Sequence, residues 1–300
     1  MTLENYYLYR LAIWLVTRLP RGLVNFCAGA LAELNFLFNR RSRRGVYASL
    51  AHVLPRDASR WQRWRIARAV FRHFARSLVD FFRIPQMTSA NLDQFVAEVK
   101  GWEHVQAAMD AGVGGIFVTA HIGSWEMGGA YLGLRGVPLT TVALPHQDAR
   151  IDQIFLRNRE ATGMEVVPVG SAMRRLTEAV MRKRFIALLA DRDVTGRAPK
   201  LPFFGQPARM PTGHAKLALR TGAWLLPGCA YHRPDGRLSI EIRPPIIPDP
   251  ARDTEESLAL RCLAVLEEFI RARPEQWLSF YDLWSETELP VLHGSRPISP

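Results

Sequence analysis

From about residue 94 onward, short apolar runs rich in β-branched residues alternate with stretches whose apolar positions recur every three or four residues. The first kind reads as buried strand and the second as helix. Strands are expected at 95–99, 115–120, 140–145, 165–170, 185–190, 224–231 and 238–243. Helices fall between them, near 102–111, 124–135, 149–161, 171–183 and 212–221, with a long one over 255–272. This alternation predicts an α/β fold, a mostly parallel central sheet flanked by helices. Ahead of it the pattern is helical throughout. Residues 58–84 place Trp64, Ala67, Phe71, Phe74, Leu78 and Phe81 on one face and arginines on the other. Residues 8–16 and 23–38 are rich in Leu, Ile, Val, Phe and Trp.

Charge sharpens this division. The formal net charge is +11, and all of it lies in residues 1–84, where fifteen Arg face four acidic side chains; residues 85–300 sum to zero. A concentrated basic surface meets a polyanion, either nucleic acid or anionic lipid. Apolar helices followed by Arg40-Arg41-Ser42-Arg43-Arg44 point to lipid, and no nucleic-acid-binding module is present. Arg18, Pro20, Arg21 and Glu33 interrupt the apolar run, so it lacks a clean membrane span, and it is unlike a signal peptide. The expected organisation is a membrane-associating helical segment over 1–45, an α/β domain over 46–290 and a tail over 291–300. Cys27, Cys229 and Cys262 have no paired spacing and read as buried small hydrophobes of a reducing compartment.

The candidate chemistry gathers where strands end, the edge at which open α/β sheets bind ligands. His121 follows the expected strand 115–120, and Glu126 opens the next helix. Five residues apart on a regular helix they would point about 140° away from each other. With His121 in the loop and Glu126 in the first turn, imidazole and carboxylate can meet. A carboxylate on one ring nitrogen fixes the tautomer and makes the other a base for a hydroxyl proton. A structural histidine beside a first-turn glutamate explains the pair equally simply. Ser124, the nearest hydroxyl, is expected to cap the helix. Leu188-Leu189-Ala190-Asp191-Arg192-Asp193 puts an acid-base-acid cluster at another strand end. Arg159, Arg209, Thr212 and Gly213 are further candidates for binding an anionic or acyl substrate, the last two at a helix start after Pro211. No cysteine or histidine cluster has metal-ligand spacing, and no dinucleotide or Walker fingerprint occurs, so neither a metal nor a bound cofactor is expected.

Taken in order, these blocks resemble the bacterial lipid A biosynthesis acyltransferase family, which includes lauroyl and myristoyl transferases and the related phosphatidylinositol mannoside acyltransferases. The resemblance is carried by His121-x-x-x-x-Glu126, Arg159-x-x-x-Gly163, Ala190-Asp191-Arg192-Asp193, Phe203-Phe204-Gly205, Arg209-Met210-Pro211-Thr212-Gly213, Leu217-Ala218-Leu219-Arg220-Thr221-Gly222-Ala223 and Pro274-Glu275-Gln276-Trp277. It implies a glycerol-phosphate-acyltransferase-like α/β domain at the cytoplasmic face of the inner membrane. It implies transfer of a fatty acyl chain from acyl carrier protein or coenzyme A to a hydroxyl of a lipid or glycolipid acceptor, with His121 as base and Glu126 as its partner. Arg159 and Asp191 would belong to its two further site blocks, and Arg192 beside Asp191 is a further substrate-binding candidate. Leu278-Ser279-Phe280-Tyr281-Asp282-Leu283-Trp284 departs from the lipid A enzymes, whereas Ser124-Trp125 and Arg209-Met210-Pro211 look closer to the mannoside branch. A lysophospholipid acyltransferase, a thioesterase or hydrolase using the same pair on water, and a catalytically silent membrane-binding protein stay open as alternatives.

Overall fold

A computed structural model describes residues 5–144, 146–168, 172–194 and 196–285; the expected tail 291–300 lies outside them. Four helices come first: α1 (Tyr6–Arg18), α2 (Arg21–Phe38), α3 (Arg40–Val53) and α4 (Arg60–Arg83). Then follow β1 (Val96–Lys100), α5 (Trp102–Asp110), β2 (Gly115–Thr119), α6 (Trp125–Leu134), β3 (Leu139–Ala143), α7 (Ala149–Glu160), β4 (Glu165–Pro168), α8 (Ala172–Met181) and β5 (Phe185–Leu189). The chain continues through β6 (Lys200–Phe203), β7 (Gln206–Arg209), α9 (Gly213–Thr221), β8 (Trp224–His232), β9 (Leu238–Ile242) and α10 (Glu255–Ala272).

Seven strands form one sheet in the order β1-β9-β8-β2-β5-β3-β4. The pairs β2–β5, β2–β8, β3–β5, β3–β4 and β1–β9 are parallel, while β8–β9 is antiparallel. The expected mostly parallel sheet is therefore present. Its one antiparallel pairing follows from the tight turn at Pro234-Asp235-Gly236, too short for a crossover. The sheet packs one apolar core against α8, α9 and α10 and a second against α5 and α6.

Two elements escaped the periodicity argument. The β6–β7 hairpin turns on Phe204 and Gly205, both at positive φ, with prolines in both strands and no alternation to announce it. Helix α3 begins in the arginine run read as a basic flank. Asn39 closes α2 and its side chain accepts the Ser42 N–H at 3.0 Å, so a second helix starts at once. The domain edge expected at residue 45 thus falls inside a helix. Gly45 sits there because a Cβ would lie 2.1 Å from the Phe280 carbonyl oxygen, and α3 must approach that strand-like segment closely. Nor is the N-terminal segment an appendage: Val16, Val24, Ala32 and Phe36 are buried against α4 and its surroundings. Of the cysteines, Cys229 and Cys262 are buried as expected, but Cys27 is exposed on α2.

Helix α4 ties the two halves together. Its Ser77 hydroxyl donates to the Gly123 carbonyl at 2.7 Å, its Arg83 donates to the Val16 carbonyl at 2.9 Å, and Asp80 lies 2.8 Å from Nε2 of buried His232. Burial keeps several histidines neutral: His73 is held at about 3, by burial and by neighbouring positive charge, and His214 at about 4 by burial alone.

These values set an acid limit on stability. Above pH 6.5 both histidines are neutral in folded and unfolded chains and contribute no pH dependence. Below 6.5 the unfolded chain binds protons that the folded one refuses, so stability falls as pH drops, by about 1.4 kcal/mol per pH unit per histidine until the folded value is reached. Urea midpoints should be lower at pH 5 than at pH 7.5, and His214→Leu should flatten that slope. Equal midpoints at the two pH values would contradict the burial argument.

Candidate active site

β2 and β5 are adjacent and parallel, and Thr119 pairs with Leu189 at their ends. The Ala190 N–H then donates to the Thr119 carbonyl at 2.8 Å, extending the ladder one step. His121 and Asp191 therefore leave the sheet side by side. The Nδ1 of His121 lies 2.8 Å from Oδ1 of Asp191, and the backbone N–H of His121 donates to Oδ2 at 3.0 Å. A third donor, Nε1–H of Trp277, reaches Oδ2 at 2.9 Å. With a carboxylate on Nδ1, the ring proton sits there and Nε2 carries the lone pair.

Three segments hold the loop after β2. Gly123 takes a φ of +59°, and a Cβ there would lie 2.0 Å from the Ala230 carbonyl oxygen, so only glycine fits. Its N–H donates to the Gln276 carbonyl at 2.9 Å, and the Leu278 N–H donates to the His121 carbonyl at 2.8 Å. The chain past α10 therefore clamps the histidine loop from β8's side, and Ser77 of α4 fastens it from below. Trp125 packs edge-on to the imidazole, with ring centroids 5.0 Å apart.

The carboxylate that the sequence paired with His121 is elsewhere. Glu126, in the first turn of α6, is bonded by Arg159 of α7 at both oxygens, 2.6 and 3.0 Å. The expected His121–Glu126 hydrogen bond is replaced by two separate pairs, because strand register brings Asp191 to the ring while the first turn of α6 turns Glu126 toward α7. Burial works against the Arg159 charge, but its pair with Glu126 more than offsets this and raises the guanidinium pKa. Glu126 still acts on the ring through space, as one of the charges that favour the imidazolium.

The remaining candidates are dispersed. Arg192 donates to the Leu278 carbonyl at 3.3 Å and lies over the Tyr281 ring, and its charge depresses His121. Arg209, at the end of β7, donates to the Ala198 carbonyl at 3.3 Å. Thr212 precedes α9 without a side-chain capping bond, and Gly213 begins that helix beneath Met173. Ser124 stands at the N-cap of α6, yet its side chain makes no capping bond, and its buried Oγ has no partner among the described residues. Trp277 was missed as part of this site; its Pro-Glu-Gln-Trp setting was visible, but only the fold shows its indole on Asp191. Among the described residues, no three His, Cys, Asp or Glu side chains gather as a metal-holding group.

Electrostatics leaves this pair poised as a base. Burial pushes His121 below its ordinary value and Arg192 adds to this; Asp191 and, more weakly, Glu126 pull it back up. Burial alone would raise the Asp191 carboxyl, but the positive character and hydrogen bond of His121, with Arg192 and Trp277, hold it well below the usual carboxylate range. At neutral pH the pair is a neutral imidazole on an ionised carboxylate.

The sequence profile of the family described as bacterial lipid A biosynthesis acyltransferase matches residues 2–286. The chain belongs to this family. Among curated relatives, a phosphatidylinositol mannoside acyltransferase of Mycobacterium tuberculosis (strain CDC 1551 / Oshkosh) is 39% identical over 153 residues, 49% of this chain and 48% of the relative. The enzyme of that name from Mycolicibacterium smegmatis is 35% identical over 57% of each chain. The lipid A biosynthesis lauroyltransferase of Escherichia coli (strain K12) is 24% identical over 89% of this chain and 86% of its own. The match to the mycobacterial relatives thus spans about half their length.

The two carboxylates can be ranked by one measurement. Asp191→Asn removes both a charge and a hydrogen bond that raise His121, whereas Glu126→Gln removes a distant charge only. Ring titration by nitrogen NMR should show His121 falling further in Asp191→Asn than in Glu126→Gln. The opposite order would assign the ring to Glu126.

Proposed function

We propose that this protein transfers an acyl chain from an acyl thioester, carried by acyl carrier protein or coenzyme A, to a hydroxyl of a lipid or glycolipid acceptor. The reading is carried by the 2.8 Å contact between His121 Nδ1 and Asp191, which leaves Nε2 without a protein partner among the described residues. Family membership supplies the reaction class. Nε2 takes the acceptor hydroxyl proton as the oxygen bonds to the thioester carbonyl carbon. The tetrahedral oxyanion then collapses, the C–S bond breaks, and the departing thiolate recovers the proton from the imidazolium. The first N–H groups of α6, which lack a side-chain cap, suit the oxyanion. Arg159 is committed to Glu126, so the pair acts as a positioned, near-neutral wall of the site. The names of the mycobacterial relatives favour a glycolipid acceptor, as do Ser124-Trp125 and Arg209-Met210-Pro211.

The acceptor side is the membrane. No helix among the described residues is long and apolar enough to cross one. Helices α1 and α2 nonetheless have two apolar faces, one packed and one bare. Tyr7, Leu8, Leu11, Trp14 and Leu15 recur along the open side of α1, and Phe26 and Phe38 of α2 are 74% and 79% exposed. Water is a poor solvent for so large a patch. Flanked by Arg40, Arg41, Arg43 and Arg44, it suits a peripheral dock on an anionic leaflet such as the cytoplasmic face of the inner membrane. Because the other faces of α1 and α2 are core, removing residues 1–45 would cut into the fold, and point substitutions are the proper probe.

Two outcomes follow. His121→Ala should lower acyl transfer by ~10²–10⁴-fold with an unchanged circular dichroism spectrum. The wild-type rate should stay flat from pH 8 down through 6.5 and fall only below that value, since burial lowers His121 and the base must be neutral; free fatty acid as the sole product with acceptor present would assign a hydrolase instead. Separately, Trp14→Glu combined with Phe26→Glu should weaken binding to anionic vesicles at least about tenfold without loss of fold. Undiminished co-sedimentation would remove the dock.

A further inference from the structure

Outside the catalytic pair, the described residues hold a second polar constellation, in a cleft of about 330 Å³ between α2 and α4. Asn25, Ala28 and Gly29 form one wall, and Arg72, His73 and Arg76 the other. A second cleft of about 410 Å³, with Trp61 and Trp64 in its wall, adjoins it along α4 and shares Ala69 and Arg72.

The walls are short of negative charge. Arg68 and Arg72 share a single carboxylate, Glu33, at 2.6 and 3.4 Å. Arg76 has no carboxylate of the described residues within 4.0 Å; its bond is to the Arg233 carbonyl at 3.4 Å. Burial holds its guanidinium below the ordinary value, and the more distant charges of Asp80 and Asp235 offset this only in part. Across the cleft, Oδ1 of Asn25 is buried without a partner, and a flip of the amide would present its NH₂ instead.

His73 adds a different capacity. Asp80 accepts from Nε2–H of His232 at 2.8 Å, so Nδ1 of His232 carries a lone pair. That lone pair faces Nδ1 of His73 at 3.1 Å, which must therefore be the donor. The second nitrogen of His73 is left as a hydrogen-bond acceptor in a wall otherwise made of donors. An anion alone would find that nitrogen repulsive. An anion carrying a hydroxyl would satisfy the whole set.

We propose that the α2–α4 cleft binds the headgroup of an anionic polyol phospholipid, with Arg72 and Arg76 on the phosphate ester and His73 accepting from a headgroup hydroxyl. The lipid source is argued from the surroundings: Trp61, 63% exposed, lines the adjoining cleft with the kind of side chain that sits at headgroup depth. Ser77, one turn beyond His73 on α4, bonds the carbonyl of Gly123, so the cleft backs onto the loop that carries His121. The membrane dock proposed above underlies the choice of a lipid over a soluble phosphate, while the water-soluble probes below need no bilayer.

The test uses the full chain and isothermal titration with two probes, glycerophosphoinositol and inorganic phosphate. Glycerophosphoinositol should bind saturably and at least about fivefold tighter than inorganic phosphate, whose only hydroxyls sit on the phosphorus held by the arginines and which has no headgroup hydroxyl to reach His73. Gly29→Leu fills the cleft, since a Cβ at Gly29 meets nothing within 4 Å, and it improves helix propensity, so the fold is kept. It should weaken glycerophosphoinositol at least about tenfold, as should Arg76→Gln, while Arg150→Gln on α7 should not. If Arg76→Gln fails to fold, Gly29→Leu carries the test. On vesicles matched in charge, wild type should prefer phosphatidylcholine containing phosphatidylinositol over phosphatidylcholine containing the same share of phosphatidylserine, and Gly29→Leu should lose that preference while still binding. Absence of saturable binding, or Gly29→Leu binding like wild type, overturns the site. Equal affinity for inorganic phosphate together with no vesicle preference overturns the lipid headgroup in favour of free phosphate. Failure of the dock would instead abolish vesicle binding and leave the soluble titrations intact.

Discussion

A buried, ionised carboxylate organises this molecule. Asp191 is 2% exposed, and an unpaired charge at that depth would not stay ionised. It is kept so by three N–H donors from two distant parts of the chain: the backbone and ring of His121, and the indole of Trp277. Each donor is in turn fixed by structure behind it. The histidine is placed by the β2–β5 register, and Trp277 by the turn Pro274–Gln276 that follows α10. Leaving any of the three unmade would expose a charge to apolar surroundings, which costs more than an ordinary hydrogen bond returns.

The same contacts explain why the C-terminal segment is part of the site. Gln276 and Leu278 bond the loop 121–123 by main chain, and Gln276 exchanges two hydrogen bonds with the backbone of His232 at 2.8 and 2.9 Å. Phe280 then packs on Phe71 and Phe74 of α4, and Ser49 of α3 donates to the Tyr281 carbonyl at 3.0 Å. The basic N-terminal helices are therefore mechanically continuous with the loop that carries His121. A surface suited to lipid and a base suited to a hydroxyl are held by one set of packed aromatics.

Helices α1 and α2 show a second constraint. A helix that is apolar all round is ordinarily buried all round. Here one side is buried by α4 and by the sheet core, and the other carries exposed Leu, Phe and Trp. Most of the segment's arginines are set on α3 and α4, with Arg10 and Arg18 on α1 and Arg21 on α2 as exceptions. This separation of apolar and basic surface is what an interface between hydrocarbon and anionic headgroups asks for.

Much of this was legible before any coordinates. The alternating periods predict nearly every strand and helix of the sheet domain, because burial on one or both faces dictates residue type at fixed spacing. They could not announce the β6–β7 hairpin, where Phe204 at positive φ is tolerated through its N–H bond to Glu267 and packing near Trp277, both distant in sequence. His121, Asp191 and Glu126 were identifiable as strand-end or first-turn residues, and Arg159 as a candidate cation in the helix ahead of Gly163. Their pairing was not. Proximity in sequence favoured His121 with Glu126, yet Asp191, seventy residues away, took that place. Sequence determines which residues reach the sheet's edge; only the order and register of the strands decide which of them touch, since hydrogen bonding between strands brings together residues that no local spacing relates.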